Sequence, residues 1–167
     1  MSDADRLAAL ERRVARQEDH AAIERVMALY AKACDSDYDA PLFCSLFTDD
    51  GVWESNAFGV YRGHAEIEGF MLGADWGAIR FVHHSMITQW IEVAEDGLTA
   101  TGCWYLVEFA SRPAPDRSEK AVIIAAIYTD RIVKLDGAWK IAHCQADFAR
   151  ALVAEDDLAL GAERVTH

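Results

Sequence analysis

Between residues 4 and 33, apolar side chains fall at Leu7, Leu10 and Val14 and then at Ile23, Val26, Met27 and Tyr30, the spacing of a helix face. The intervening stretch from Arg13 to Ala21 is polar, which predicts a loose first helix leading into a firmer one near Ala21. Asp39 or Ala40 opens a short second helix ending near Phe47, with Pro41 suited to its first turn. Thr48-Asp49-Asp50-Gly51 has the chemistry of a turn. Val52-Trp53-Glu54 and Gly59-Val60-Tyr61-Arg62 read as two short strands around a tight connection. His64 to Leu72 forms a third helix, with Ile67, Phe70 and Met71 on its apolar face.

From Ile79 the pattern changes to long strands, over 79–93, 98–111, 120–133 and 139–147. Ala94-Glu95-Asp96-Gly97 and Leu135-Asp136-Gly137 are hairpin turns, and Arg112-Pro113-Ala114-Pro115-Asp116 joins the middle pair. Helices followed by a meander of antiparallel strands predict an α+β fold. A sheet of such strands must curl, and three N-terminal helices closing its open side give a cone with one deep pocket. No repeat or Pro/Gly-rich linker divides the chain, so residues 1–167 are expected to form a single domain with a core of about 5–150 and a tail from 151.

Composition narrows the function. The formal net charge is −12 with no basic stripe, which argues against nucleic acid and against an anionic membrane surface. No apolar run is long enough to span a membrane, and the charged N-terminus lacks a signal-peptide core, so a cytoplasmic location is expected. Cys34, Cys44, Cys103 and Cys144 form no C-x-x-C pair and are expected to be buried, reduced thiols. His143 beside Cys144 would face the other side of the same strand. No H-x-H or H-E-x-x-H spacing occurs, and Gly69-Phe70-Met71-Leu72-Gly73 lacks the lysine and context of a phosphate loop. Neither a metal nor a cofactor is expected.

The densest chemical constellation is Tyr30, Asp35 and the pair His83-His84. A carboxylate that accepts from one imidazole nitrogen fixes the tautomer and raises the basicity of the other. A phenol such as Tyr30 donates a hydrogen bond to an oxygen on which charge develops. Because neighbouring strand residues face opposite ways, one histidine of the pair should face the pocket and the other away from it.

The order Tyr30-x4-Asp35, Trp53, Gly59…Arg62-Gly63-His64…Ile67, His83-His84 and Ala100-Thr101-Gly102-Cys103-Trp104-Tyr105-Leu106 resembles the SnoaL-like polyketide-cyclase family of the nuclear-transport-factor-2-like superfamily, over roughly residues 5–150. Within it the chain is similar to the bile-acid 7α-dehydratases and, more distantly, to the scytalone dehydratases. The resemblance implies catalysis by Tyr30, Asp35 and one of His83 or His84, with Glu108 as a further acid. An uninterrupted count back from Ile91-Glu92-Val93 favours His84, whereas a bulge near Trp90 would favour His83. The late basic residue of the dehydratases has no clean counterpart, since Phe148 stands there and Arg150 is only nearby, which points to a neutral or phenolic substrate.

Trp53, Tyr61, Phe81, Trp104 and Tyr128 are expected to bind the substrate, a small, flat, apolar or aromatic molecule. The expected function is a cofactor-independent lyase, removing water or cleaving a carbon–carbon bond in retro-aldol fashion, for example with release of formaldehyde. An enone or steroid-type isomerase, a polyketide cyclase and a non-catalytic binding or assembly module are the alternatives. Apolar residues on both faces of the strands, such as Val122, Ile124 and Ile127, predict a homodimer or homotrimer formed through the sheet.

Overall fold

A computed structural model describes residues 1–73, 81–113 and 119–153. Three helices, α1 (Asp3–Asp35), α2 (Ala40–Ser45) and α3 (Gly63–Met71), pack on a curved, unclosed sheet of six strands. The strands are β1 (Phe47–Ser55), β2 (Gly59–Arg62), β3 (Phe81–Val93), β4 (Thr99–Pro113), β5 (Glu119–Leu135) and β6 (Ala138–Val153). Their order is β2-β1-β6-β5-β4-β3, so β2 and β3 are the edges.

The expected pair of helices at the N-terminus is one continuous helix. Ser2 and Asp5 form a reciprocal capping box that fixes its start. Its first half stands clear of the sheet, leaving Leu7, Leu10 and Val14 exposed. The second half buries Ile23, Val26, Met27, Tyr30, Ala33 and Cys34, one stripe at helical spacing. Asp19 seats this stripe, accepting from Lys134 Nζ at 2.5 Å and from Trp139 Nε1 at 2.9 Å. The short α2 is capped by Asp39, whose Oδ1 accepts from the Leu42 N–H at 2.9 Å.

Two features depart from the sequence pattern. Thr48-Asp49-Asp50-Gly51 is not a free turn but lies within β1, where the register with β6 shifts between Phe47 and Val52. Gly51 permits this kink, because an added Cβ would stand 2.9 Å from the Thr48 carbonyl oxygen. The sheet is also not wholly antiparallel, since β1 pairs with β6 in parallel and closes the β1–β2 hairpin onto the long meander.

The meander itself follows the alternation. On β4, Ala100, Trp104, Leu106 and Ala110 point into the core, and on β5 Val122, Ala126, Tyr128 and Ile132 do so. Val122 therefore faces inward, whereas Ile127 is exposed on the outer face. Asp136 and Gly137 both have positive φ, 49° and 81°, as a two-residue hairpin turn of this hand requires. Of the expected 112–116 loop, Arg112 and Pro113 extend β4 and the remainder lies outside the described residues.

Candidate active site

The last residue of α1, Asp35, meets the edge strand β3. On an edge strand every second N–H points away from the ladder and needs a partner. The backbone N–H of His84 finds one in Asp35 Oδ1, at 2.9 Å. The same oxygen lies 2.8 Å from His84 Nδ1, so it holds both the strand and the ring. An Asp35 carboxylate accepting from Nδ1–H leaves Nε2 as the imidazole's basic nitrogen.

Nε2 points at Glu108. His84 and Glu108 are directly opposed across the β3–β4 ladder, and Nε2 stands 3.5 Å from Glu108 Oε2. Glu108 is on the inward side of β4, among Leu106 and Ala110. Burial pushes its carboxyl pKa up, and the Asp35 charge adds to this, while His84 pulls it part of the way down. The side chain of His84 is only 8% exposed. A buried base thus sits beside an acid that holds its proton more tightly than an ordinary glutamate.

His83 occupies the outer parity of β3, with its side chain 57% exposed, yet its Nδ1 is 3.4 Å from Asp35 Oδ2. Asp35 lies beyond the strand edge, where both neighbouring side chains reach around to it. The parity has a cause opposite to the one expected. Ile91 faces inward, and an uninterrupted strand would turn His83 inward with it. The register shifts between Ile87 and Trp90, with Thr88 at φ 51°, and this extra residue turns His84 inward instead.

Tyr30 belongs to a different network. It is fully buried, and its hydroxyl accepts from Trp53 Nε1 at 2.8 Å. Its ring meets that of Tyr128 edge-on at 5.7 Å. Burial, reinforced by Tyr128, Cys144 and Cys34, drives its pKa up. Its hydrogen bond runs to Trp53 rather than to Asp35 or His84, whose own bond joins them to each other.

The expected substrate-binding aromatics divide. Trp53, Trp104 and Tyr128 are enclosed in the core, and the Trp104 ring lies over Gly102. Tyr61 packs at a tilt against Phe70, with ring centroids 4.5 Å apart, and both help to line a groove of about 490 Å³ with Phe58, Val60, Glu66, Gly69 and Gly73, which shares no residue with the His84 cluster. Phe81 has the outer parity of His83 and is exposed, so it does not line the interior. Cys34, Cys44 and Cys144 are buried free thiols, and His143 faces away from Cys144 and pairs with Glu54 at 3.2 Å. Among the described residues no group of His, Cys, Asp and Glu side chains has a metal-holding arrangement. No described helix is long and apolar enough to cross a membrane.

Sequence reasoning missed Tyr38. It follows Asp35 by three residues, packs partly buried against the core, and has φ of 56°. Burial raises its pKa, and Glu108, Cys34 and Asp35 add to the rise. The polar run Asp35-Ser36-Asp37 offered no signal that the next residue turns back to the core.

Comparison with known proteins agrees with this architecture. The SnoaL-like domain family matches residues 15–145, and the chain belongs to that family. Among solved structures, it is similar to the hexachlorocyclohexane dehydrochlorinase LinA-type3 from Novosphingobium barchaimii, at 19% identity and a TM-score of 0.71, covering 92% of this chain and 95% of that one. An NTF2-like protein with a cystatin-like fold from Novosphingobium aromaticivorans is 24% identical, with a TM-score of 0.70 and coverage of 89% and 91%. A scytalone-dehydratase-like protein from the same species is 19% identical, with a TM-score of 0.71 and coverage of 83% and 89%. No curated protein matches the sequence.

Proposed function

We propose that the protein is a cofactor-independent lyase that eliminates water from a small, neutral, largely apolar hydroxy compound. The observation that carries this reading is the line Asp35–His84–Glu108, in which one imidazole is held between an orienting carboxylate at 2.8 Å and a buried acid at 3.5 Å. Solved structures of the same fold include a dehydrochlorinase and a scytalone-dehydratase-like protein, which supports elimination as a chemistry this scaffold can host.

Elimination needs a base for a C–H proton and an acid for the leaving oxygen. His84 Nε2 takes the proton from the carbon next to an activating carbonyl, and Asp35 stabilises the imidazolium that forms. The carbon–oxygen bond breaks as the electron pair of the broken C–H bond becomes the new double bond. The departing hydroxyl takes the Glu108 proton and leaves as water. Imidazolium then stands beside glutamate carboxylate, and one proton transfer across their contact restores both groups. No net proton is gained or lost.

Two carboxyl groups around one imidazole disfavour an anionic substrate at the reacting carbon. The test is to incubate the parent and His84→Ala with a panel of aromatic β-hydroxy ketones and to follow water loss by mass spectrometry. Conversion by the parent that His84→Ala abolishes supports the reading. Tight binding of panel members without conversion would replace it with a binding module.

A further inference from the structure

The first half of α1 carries an apolar stripe of its own. Leu7, Leu10 and Val14 are 59%, 52% and 55% exposed, while Ile23, Val26 and Met27 further along the same helix are buried. The two stripes lie on opposite sides of the helix. Ile23 follows Val14 by nine residues, about two and a half turns at 3.6 residues per turn, so the side that meets the sheet is turned away from Val14.

The spacing of three and then four residues that joins Leu7, Leu10 and Val14 is that of a coiled-coil seam, with Leu7 and Val14 at heptad positions a and Leu10 at d. Asp3 and Gln17 stand at the neighbouring d positions and limit the seam to these apolar layers. A β-branched residue at a, as at Val14, with leucine at d favours two strands.

The flanking charges define the partner. Arg6 and Arg13 occupy g positions, and Glu11 and Glu18 occupy e positions. In a parallel pair each g residue faces the e residue of the next heptad on the other chain. Arg6 then meets Glu11 of the second copy, Arg13 meets its Glu18, and the twofold axis repeats both contacts. An antiparallel pair would set g against g and e against e, arginine on arginine and glutamate on glutamate. The ion pair that Arg6 makes with Asp3 at 3.9 Å joins two exposed groups and is easily exchanged for another.

We propose that residues 6–18 of α1 pair with the same residues of a second copy of the chain as a short parallel coiled coil. The seam is short, so the pairing is firmest between chains already held together by another contact.

The test places a cysteine in the seam of the full chain and reads pairing as an interchain disulfide in a glutathione buffer. Leu10→Cys is expected to form it, because facing d residues of a parallel pair are close enough to bridge. Arg12→Cys, on the side of the helix away from the seam, should not. Cys34, Cys44 and Cys144 are buried, and the parent serves as the blank for Cys103. Adding Arg6→Glu and Arg13→Glu to Leu10→Cys makes both flanks acidic, and adding Glu11→Lys and Glu18→Lys instead makes both basic. Either set alone should lower the ratio of bridged to unbridged chains roughly tenfold, the scale of several exposed ion pairs turned repulsive. Acidic and basic chains produced together should bridge to each other as the original does. All the substituted positions are exposed, so circular dichroism should find every variant folded. No interchain disulfide in Leu10→Cys, equal bridging by Arg12→Cys, a yield that the charge reversals leave unchanged, or no mixed disulfide from the two reversed chains would each overturn the proposal.

Discussion

His84 and Glu108 stand directly opposite each other across the β3–β4 ladder, with Nε2 of the imidazole 3.5 Å from Oε2 of the carboxyl. In the proposed elimination this pairing puts the acid and the base on facing positions of a sheet, which is a more rigid mounting than a loop provides.

A first consequence concerns pH. Glu108 acts as an acid only while protonated, and burial raises its pKa. The rate should therefore fall as pH rises through that raised value. Glu108→Gln should lower the rate by roughly 10²- to 10⁴-fold and lack this falling limb. A pH–rate profile of the parent and the variant checks it, and identical limbs would remove Glu108 from the mechanism.

Asp130 predicts a pH-dependent stability. It is 1% exposed, its two oxygens have no hydrogen-bond partner among the described residues, and burial raises its pKa from 3.8 to about 7. The Cys144 thiol, its partner across the β5–β6 ladder, offsets part of this rise. The folded state thus binds this proton more tightly than the unfolded chain. The associated stabilisation is complete below about pH 4 and is lost as pH rises to 7, a difference on the order of 4 kcal/mol. Urea unfolding at pH 5 and pH 8 should show the loss in the parent and a smaller one in Asp130→Asn.

Much of the architecture was legible because the long strands alternate and their turns carry Asp-Gly or a glycine at positive φ, as at Asp136-Gly137 and Gly97. The residues Asp35, His84 and Glu108 could be singled out as chemistry. Their facing was harder to read, because it hinges on a one-residue bulge at Thr88 that no turn residue announces. The parallel β1–β6 pairing is a long-range contact without a local signature. Tyr38 was invisible for a related reason, since two successive left-handed residues that are not glycine contradict local preference and are imposed by the packing around them.

Gly102 offers a test of the core. A Cβ there would stand 1.9 Å from the Trp104 ring, so Gly102→Ala must displace a fully buried indole. We expect a loss of about 1–3 kcal/mol or more, the scale of overpacking, read as a lower melting temperature. A variant as stable as the parent would mean that Trp104 has room to move.

The outer face of β3, β4 and β5 exposes Ile87, Tyr105, Phe109, Ile123 and Ile127. We propose that a second copy of the chain covers this face. Sedimentation at tens of micromolar should find a dimer or trimer, and Phe109→Lys should shift it toward monomer. A monomeric parent would contradict the assembly while leaving the site untouched.

The central claim is that His84, oriented by Asp35, is the base. It is tested most directly by turnover of the first hydroxy ketone that the parent dehydrates, measured for His84→Ala, Asp35→Asn and the double variant, each checked for folding. Loss of His84 should lower the rate by roughly 10²- to 10⁴-fold. Asp35→Asn should also be damaging, since an amide holds the wrong tautomer and supports no imidazolium, and the double variant should be little worse than the worse single one. Folded variants that turn over at the parent rate would contradict the account.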